Sequence, residues 1–389
     1  MSTKRFLAAS VPPRLAMAGS AVALPILAIE QTGDIGIAGA LVAASLAPSV
    51  IAAPLVGAAL DRTRRPGVMI AFSCLLTAAV TAAMTLLGAI PLVVIFILLI
   101  LAGAVSPFYM GGLSSFVADV MPHSRRGFAI DALSYNISAV GGPAAVALLT
   151  LFAPVQIAVL ALTASAALGA MGVFRMGLPS HAGTSKSVLS AITGGVKWML
   201  GHRPLALLTA ASTLSQVGQG GLAVAAIAFS LERVGSPDQA AFVVTAFAVG
   251  ALAGSLYETL RPTRSRPQKV MMLGFLMTGL LTIGATIDLG IVWTVVFIGL
   301  SGFFTASPVA AMLSLRNQLS PTHLKAQVFT VGAGLRATAF AAGAALAGTA
   351  AATGAGGAIP IAGVGLVWVA SAALMAAYPR DHTQLPPGM

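Results

Sequence analysis

Apolar residues run along this chain in stretches of about 20, long enough to cross a hydrocarbon core as helices, and polar residues gather in short intervals between them. Twelve such stretches fall near 12–30, 36–60, 67–88, 91–118, 127–150, 153–174, 204–230, 238–257, 270–287, 291–313, 326–350 and 356–378. Where polar residues are scarce, in "LLGAIPLVV" and "LTLFAPVQI", single prolines mark the turns. The pattern predicts an all-α membrane protein. Its longest polar interval, 175–203, separates six spans from six. Inside that interval Val188, Ile192, Val196 and Leu200 recur every four residues, which predicts a short helix lying at the membrane surface. The expected organisation is a six-helix bundle over 1–174, a cytoplasmic linker over 175–203, and a second six-helix bundle with a short tail over 204–389.

The two halves share landmarks. Gly57 and Asp61 recur as Gly254 and Glu258, a displacement of 254 − 57 = 197. Ser106 and Pro107 recur as Ser307 and Pro308, 307 − 106 = 201, and Pro122 recurs as Pro321, 321 − 122 = 199. The common displacement points to an internal repeat of six helices.

Composition agrees with a bilayer. Of 389 residues 58% are hydrophobic and 8% charged, where soluble domains carry roughly a quarter charged. The net charge of +11 comes from short basic clusters without interleaved aromatic residues, so it reads as orientation and not as nucleic-acid binding. Counting alternate loops puts Lys4, Arg5, Arg62, Arg64, Arg65, Arg125, Arg126, Arg175, Lys186, Lys197 and Arg203 on one side with Arg261, Arg264, Arg266, Lys269, Arg316, Lys325 and Arg380, and Arg233 on the other. The opposite turns carry Glu30, Asp34, Glu232, Asp238 and Asp288. Both termini are therefore expected in the cytoplasm, with the start read as an uncleaved first span of a multi-pass protein in the plasma or bacterial inner membrane. The single cysteine, Cys74, lies in an apolar stretch and offers no disulfide, and the five histidines lack paired metal-ligand spacing. "GAGLRATAFAAG" follows no strand and no P-loop is present, so no enzyme, no cofactor and no ATP-driven pump is expected.

One loop stands out by its charge: "GAALDRTRRP", 57–66. It resembles the loop signature of the major facilitator superfamily, Gly-x-x-x-Asp-Arg-x-Gly-Arg-Arg. Gly57, Asp61, Arg62 and Arg65 match, while Arg64 stands at the family's glycine and Pro66 at its last basic position. "ADVMPHSRRG", with Asp119, resembles the family's turn between spans four and five, and "VGGPAAVALL", with Gly142 and Pro143, is similar to the fifth-span motif of its antiporters. The resemblance implies twelve spans in two pseudo-repeats. It also implies a conformational latch in which Gly57 lets spans two and eleven pack closely, Asp61 faces a helix amino terminus, and Arg62 or Arg65 reaches Asp119.

Ionisable residues inside spans are expensive and few. Asp131 in span five is a candidate for proton coupling, the other reading being a pair with Arg125 or Arg126 at the rim. Glu30 and Arg336 are further coupling candidates, and Arg14 reads as an interfacial anchor at the inner start of span one. Gln216 and Gln219, at i and i+3 beside glycines in span seven, are candidates for a substrate cavity with a gate, as are Phe108, Tyr109 and Asn136. The expected function is secondary transport by alternating access: a monomer exporting a small apolar or amphiphilic compound in exchange for protons. The alternatives are uptake of a neutral or anionic metabolite, and a receptor or scaffold that transports nothing.

Overall fold

The computed structural model describes residues 3–32, 35–121, 124–180, 188–234, 238–287, 289–352 and 358–379. Asp34, Pro122, Lys186, Asp288 and Arg380, assigned to loops or the tail above, lie outside the described residues. Eleven helices within them are long and apolar enough to cross a bilayer. They are Thr3–Thr32, Ala40–Arg62, Pro66–Leu86, Leu92–Ser115, Arg125–Thr150 and Val155–Phe174 in the first half, then Arg203–Arg233, Gln239–Leu260, Ile291–Leu319, Thr322–Ala350 and Ala358–Ala376. The expected ninth span is also present, as the helix Pro267–Gly284, whose opening Pro267, Gln268 and Lys269 dilute its apolar character. Large apolar side chains such as Ile51, Phe72, Phe242 and Val292 are exposed, as lipid-facing positions are in a membrane-spanning bundle.

Proline sets several of the helix starts. Pro66 and Pro267 occupy the first turns of the third and ninth spans, where a missing N–H leaves no hydrogen bond unmade. Pro91 and Pro154 immediately precede the fourth and sixth spans, at the two turns the sequence marked. The turn before Pro91 reverses at Gly88, φ +90°, a backbone conformation that L side chains rarely adopt.

The first span departs from expectation. The sequence places its start near residue 12, yet the helix begins at Thr3, with Pro12 and Pro13 inside it. Ser138 Oγ donates to the carbonyl of Val11 and Ser165 Oγ to that of Pro12, supplementing the backbone near these prolines from the fifth and sixth spans. The extra turns move Arg14 from the rim to the helix interior.

Contacts divide the chain into two compact units. One comprises Met1–Val196 with Pro321–Gly334, the other Lys197–Ser320 with Leu335–Met389. The beginning of the eleventh span thus groups with the amino-terminal unit, whereas the sequence boundaries placed all of 204–389 together. In the first unit, the first span packs on the fifth and sixth, the third on the sixth and the second on the fourth. In the second, the seventh packs on the twelfth, the ninth on the twelfth and the eighth on the tenth, which repeats three of those pairings six spans later.

Glycine contacts repeat as well. A Cβ on Gly142 would stand 2.6 Å from the backbone nitrogen of Gly19, where the fifth span crosses the first. Adding 201 to each gives Gly343 and Gly220, since 343 − 142 = 201 and 220 − 19 = 201. There the eleventh span crosses the seventh still more closely, Gly343 against the carbonyl of Val217 and Gly220 against the backbone of Phe340. Removal of side chains lets each pair of backbones approach. Gly142 of the fifth-span motif is therefore a packing residue, with Pro143 inside the same helix.

The helix Val188–Gly201 lies in the linker. The side chains of Val188 and Ile192 are not described, and Leu200 is exposed.

Candidate functional site

Arg14 is 2% exposed and sits where the first, fourth and fifth spans meet. Its guanidinium has five N–H donors in a planar fork, and five acceptors surround it. Nη1 donates to Asp131 Oδ1 at 2.7 Å and to Ser134 Oγ, both on the fifth span. Nε donates to the carbonyl of Tyr109 at 3.3 Å, and Nη2 to the carbonyl of Met110 at 3.2 Å and to Ser114 Oγ at 3.1 Å, all on the fourth span. The ring of Tyr135 covers the guanidinium face 3.8 Å away, a cation–π contact. Tyr135 Oη also lies 3.2 Å from Ser114 Oγ, closing the ring of contacts.

The local backbone of the fourth span explains two of these acceptors. After Pro107 the helix widens into a π-helical turn, Phe108–Gly112, before α-helix resumes at Leu113. Such a turn carries an extra residue and re-aims its carbonyls relative to an α-helix. Arg14 occupies the carbonyls of Tyr109 and Met110, inside that turn.

Asp131 is fully buried, with one oxygen on Arg14 and Oδ2 without a hydrogen-bond partner among the described residues. The expected rim pair is corrected: Asp131 is held by Arg14, while Arg125 and Arg126 are exposed. The reading of Arg14 as an interfacial anchor is corrected with it. Glu30 is exposed at the end of the first span, and Arg336 is half-buried in the other compact unit, so neither joins this network. Shifting the pair by the repeat displacement, 14 + 201 = 215 and 131 + 201 = 332, lands on Ser215 and Gly332. The packing repeats between halves; the ion pair does not.

A second feature lies where the second span meets the start of the eleventh. Asp61, 4% exposed, accepts from the backbone N–H of Ala326 at Oδ1, 2.8 Å, and from that of Gln327 at Oδ2, 2.9 Å. These amides belong to the first turn of the helix Lys325–Ala352, whose opening N–H groups have no intrahelical acceptors and whose dipole favours an anion. Close approach is possible because residue 57 is glycine: a Cβ there would overlap Gln327 Cα and Thr330 Oγ1. Asp119 lies 3.6 Å from Lys325, a basic partner that the expectation for Arg62 or Arg65 had not included; Arg65 itself is exposed. In the linker helix, Gly195 abuts the side chain of Gln327.

The counterpart Glu258 behaves differently. Its Oε1 accepts from the N–H of Thr263, and its Oε2 from Thr263 Oγ1 and Ser307 Oγ, all within its own unit. The two acids share a repeat position, but Asp61 caps a helix through the amide of Ala326, 265 residues away along the chain.

Other candidates are dispersed. Gln216 Nε2 donates to Gln219 Oε1 at 2.8 Å, so the two amides partly satisfy each other along one helix face. Their neighbours Gly218 and Gly220 are filled against Trp368 and Phe340, which makes them packing positions and not the flexible gate suggested by the sequence. Tyr109 is buried and helps line a cavity of about 40 Å³ in the amino-terminal unit, with Ser20, Thr77, Thr81 and Ser106. Phe108 and Asn136 are half-buried.

Twelve apolar helices, the pairings that recur six spans later and the capped helix after a long intervening half define an all-α membrane protein with the major facilitator fold. Solved structures bear this out. The human organic anion transporter MFSD10 matches with a TM-score of 0.73 at 16% identity, over 96% of this chain and 98% of its own. A bacterial homologue of the iron transporter ferroportin, in an outward-facing state, gives 0.72 at 14%, covering 97% and 98%. The fucose:proton symporter FucP of E. coli gives 0.71 at 14%, also covering 97% and 98%. No protein-family model matches the chain, and no curated protein is detectably similar to it in sequence.

Proposed function

We propose that this protein is a proton-coupled secondary transporter of the plasma or inner membrane that works by alternating access and exports a small apolar or amphiphilic compound. The observation that carries the reading is the buried Arg14–Asp131 pair, whose Oδ2 has no hydrogen-bond partner among the described residues. A carboxylate in a membrane interior is retained at a free-energy cost, and the usual return is a function that uses its proton. Asp131 takes up a proton at Oδ2 while Oδ1 stays against Arg14. Asp61 serves as a latch by holding the first turn of the eleventh span, with Gly57, Arg62, Arg65 and Asp119 around it. Proton use is supported by the likeness to a fucose:proton symporter. Export, as against uptake, is supported by the similarity around Gly142 and Pro143 to the antiporter motif.

The experiment is transport in proteoliposomes, with a ligand first found by thermal-shift screening. A pH gradient that drives the ligand opposite to the protons supports exchange. Movement in the same direction as the protons replaces export with uptake, and flux that ignores the gradient removes proton coupling.

A further inference from the structure

Two contacts connect the Arg14 network to the helix turn that Asp61 holds, all of them within the amino-terminal unit. The first runs through the widened turn of the fourth span. A Cβ on Gly111 would stand 2.6 Å from the carbonyl oxygen of Phe329 and 2.9 Å from Thr330 Cα, so this turn touches the eleventh-span backbone directly. The second runs through the fifth span. Phe128, one turn before Asp131, stacks on Phe329 with ring centroids 6.4 Å apart. Both arrive just beyond Ala326 and Gln327, the residues whose amides Asp61 accepts.

From this geometry we infer that Arg14 is a positioning residue for the latch: by holding the carbonyls of Tyr109 and Met110 it keeps the fourth span widened, and the widened turn braces Phe329 and Thr330 for Asp61. The inference rests on the reading of Asp131 as the proton site and Asp61 as the latch. The two-state element is the turn itself. A π-turn differs from an α-turn by one residue, and closing it rotates the residues on one side by about 100° about the helix axis. Such a rotation takes Gly111 out of its contact with Phe329 and brings a neighbour with a side chain towards it. A proton on Asp131 removes the charged acceptor of Arg14, so the guanidinium holds the turn less firmly. The latch is then loosened from inside the bundle, without a ligand reaching it.

Hydrogen exchange of the full chain in lipid nanodiscs tests this, because the amides of Ala326 and Gln327 are the latch bonds themselves. Arg14→Lys keeps a cation beside Asp131 but cannot span five acceptors. It is expected to speed exchange at 325–330 on the order of fivefold or more, as Asp61→Asn does, with no further gain in the double variant. Exchange in the sixth span stays unchanged, which general loosening of the bundle would not allow. Unchanged exchange at 325–330, or effects of the two substitutions that multiply, would overturn the inference. If Arg14→Lys does not fold, Gly111→Ala tests the other link, the contact of the widened turn with Phe329, with Arg14 and Asp131 intact, and exchange at 325–330 equal to wild type overturns the inference there. No substrate or gradient enters the measurement. Non-additive exchange in a protein whose flux ignores pH would therefore sink the proton-coupling reading and leave the brace standing.

Discussion

Arg14 Nη1 stands 2.7 Å from Asp131 Oδ1, joining residues 117 positions apart in a site from which solvent is excluded. A buried pair of this kind is a weak source of net stability, yet removing one partner strands the other's charge in low dielectric. That asymmetry makes the pair testable.

Asp131→Leu should destabilise the amino-terminal unit by about 3–5 kcal/mol, because the guanidinium keeps its charge and loses the carboxylate that pairs with it. Thermal unfolding in nanodiscs checks this. Arg14→Met combined with Asp131→Leu should recover much of the loss. The remainder reports the carbonyls of Tyr109 and Met110 and the hydroxyls that Arg14 had satisfied.

Gly57→Ala places a methyl group where Gln327 Cα lies, and backbone cannot yield as a side-chain tip can. Destabilisation of about 1–3 kcal/mol is expected, with faster exchange at Ala326 and Gln327. Exchange equal to wild type would show that spans two and eleven do not pack as described.

Asp61→Asn and Glu258→Gln should diverge even though the acids occupy repeat positions. The first weakens acceptance from two amides of the eleventh span and should speed their exchange. The second disturbs only Thr263 and Ser307 and should leave that exchange unchanged. Hydrogen exchange over 325–330 in both variants decides the matter.

Gly220→Val should be among the most damaging changes in the carboxy-terminal unit, since its side chain would enter the backbone of Phe340. Gln219→Ala, which removes half of a hydrogen bond between two amides on one helix, should lower the melting temperature far less. The reverse order would restore a flexible, polar reading of that span.

The spans were legible because crossing a bilayer demands length and apolarity, which a sequence displays directly. Asp61 was legible too: an acid in a loop of arginines has no part in orientation. Arg14 was misread because the apolar stretch begins near residue 12, which puts Arg14 at its edge, whereas the helix begins at Thr3 and runs through Pro12 and Pro13. Its pairing with Asp131 depends on how the first, fourth and fifth spans cross, which no spacing along the chain encodes. The widened turn at Phe108–Gly112 had only Pro107 and two glycines as local signals. One signal was present and overlooked. Gly19 and Gly142 recur at a displacement of 201, whereas Arg14 and Asp131 do not, and that contrast separates packing from chemistry.

In the proposed mechanism Asp131 carries the coupled proton. This is tested most directly by measuring ligand flux into proteoliposomes with and without an imposed pH gradient, for wild type, Asp131→Asn and Glu30→Gln. Gradient-driven flux is expected in wild type and in Glu30→Gln, whose site is exposed, and flux indifferent to the gradient in Asp131→Asn. Gradient-driven flux that survives Asp131→Asn at the wild-type level would contradict it.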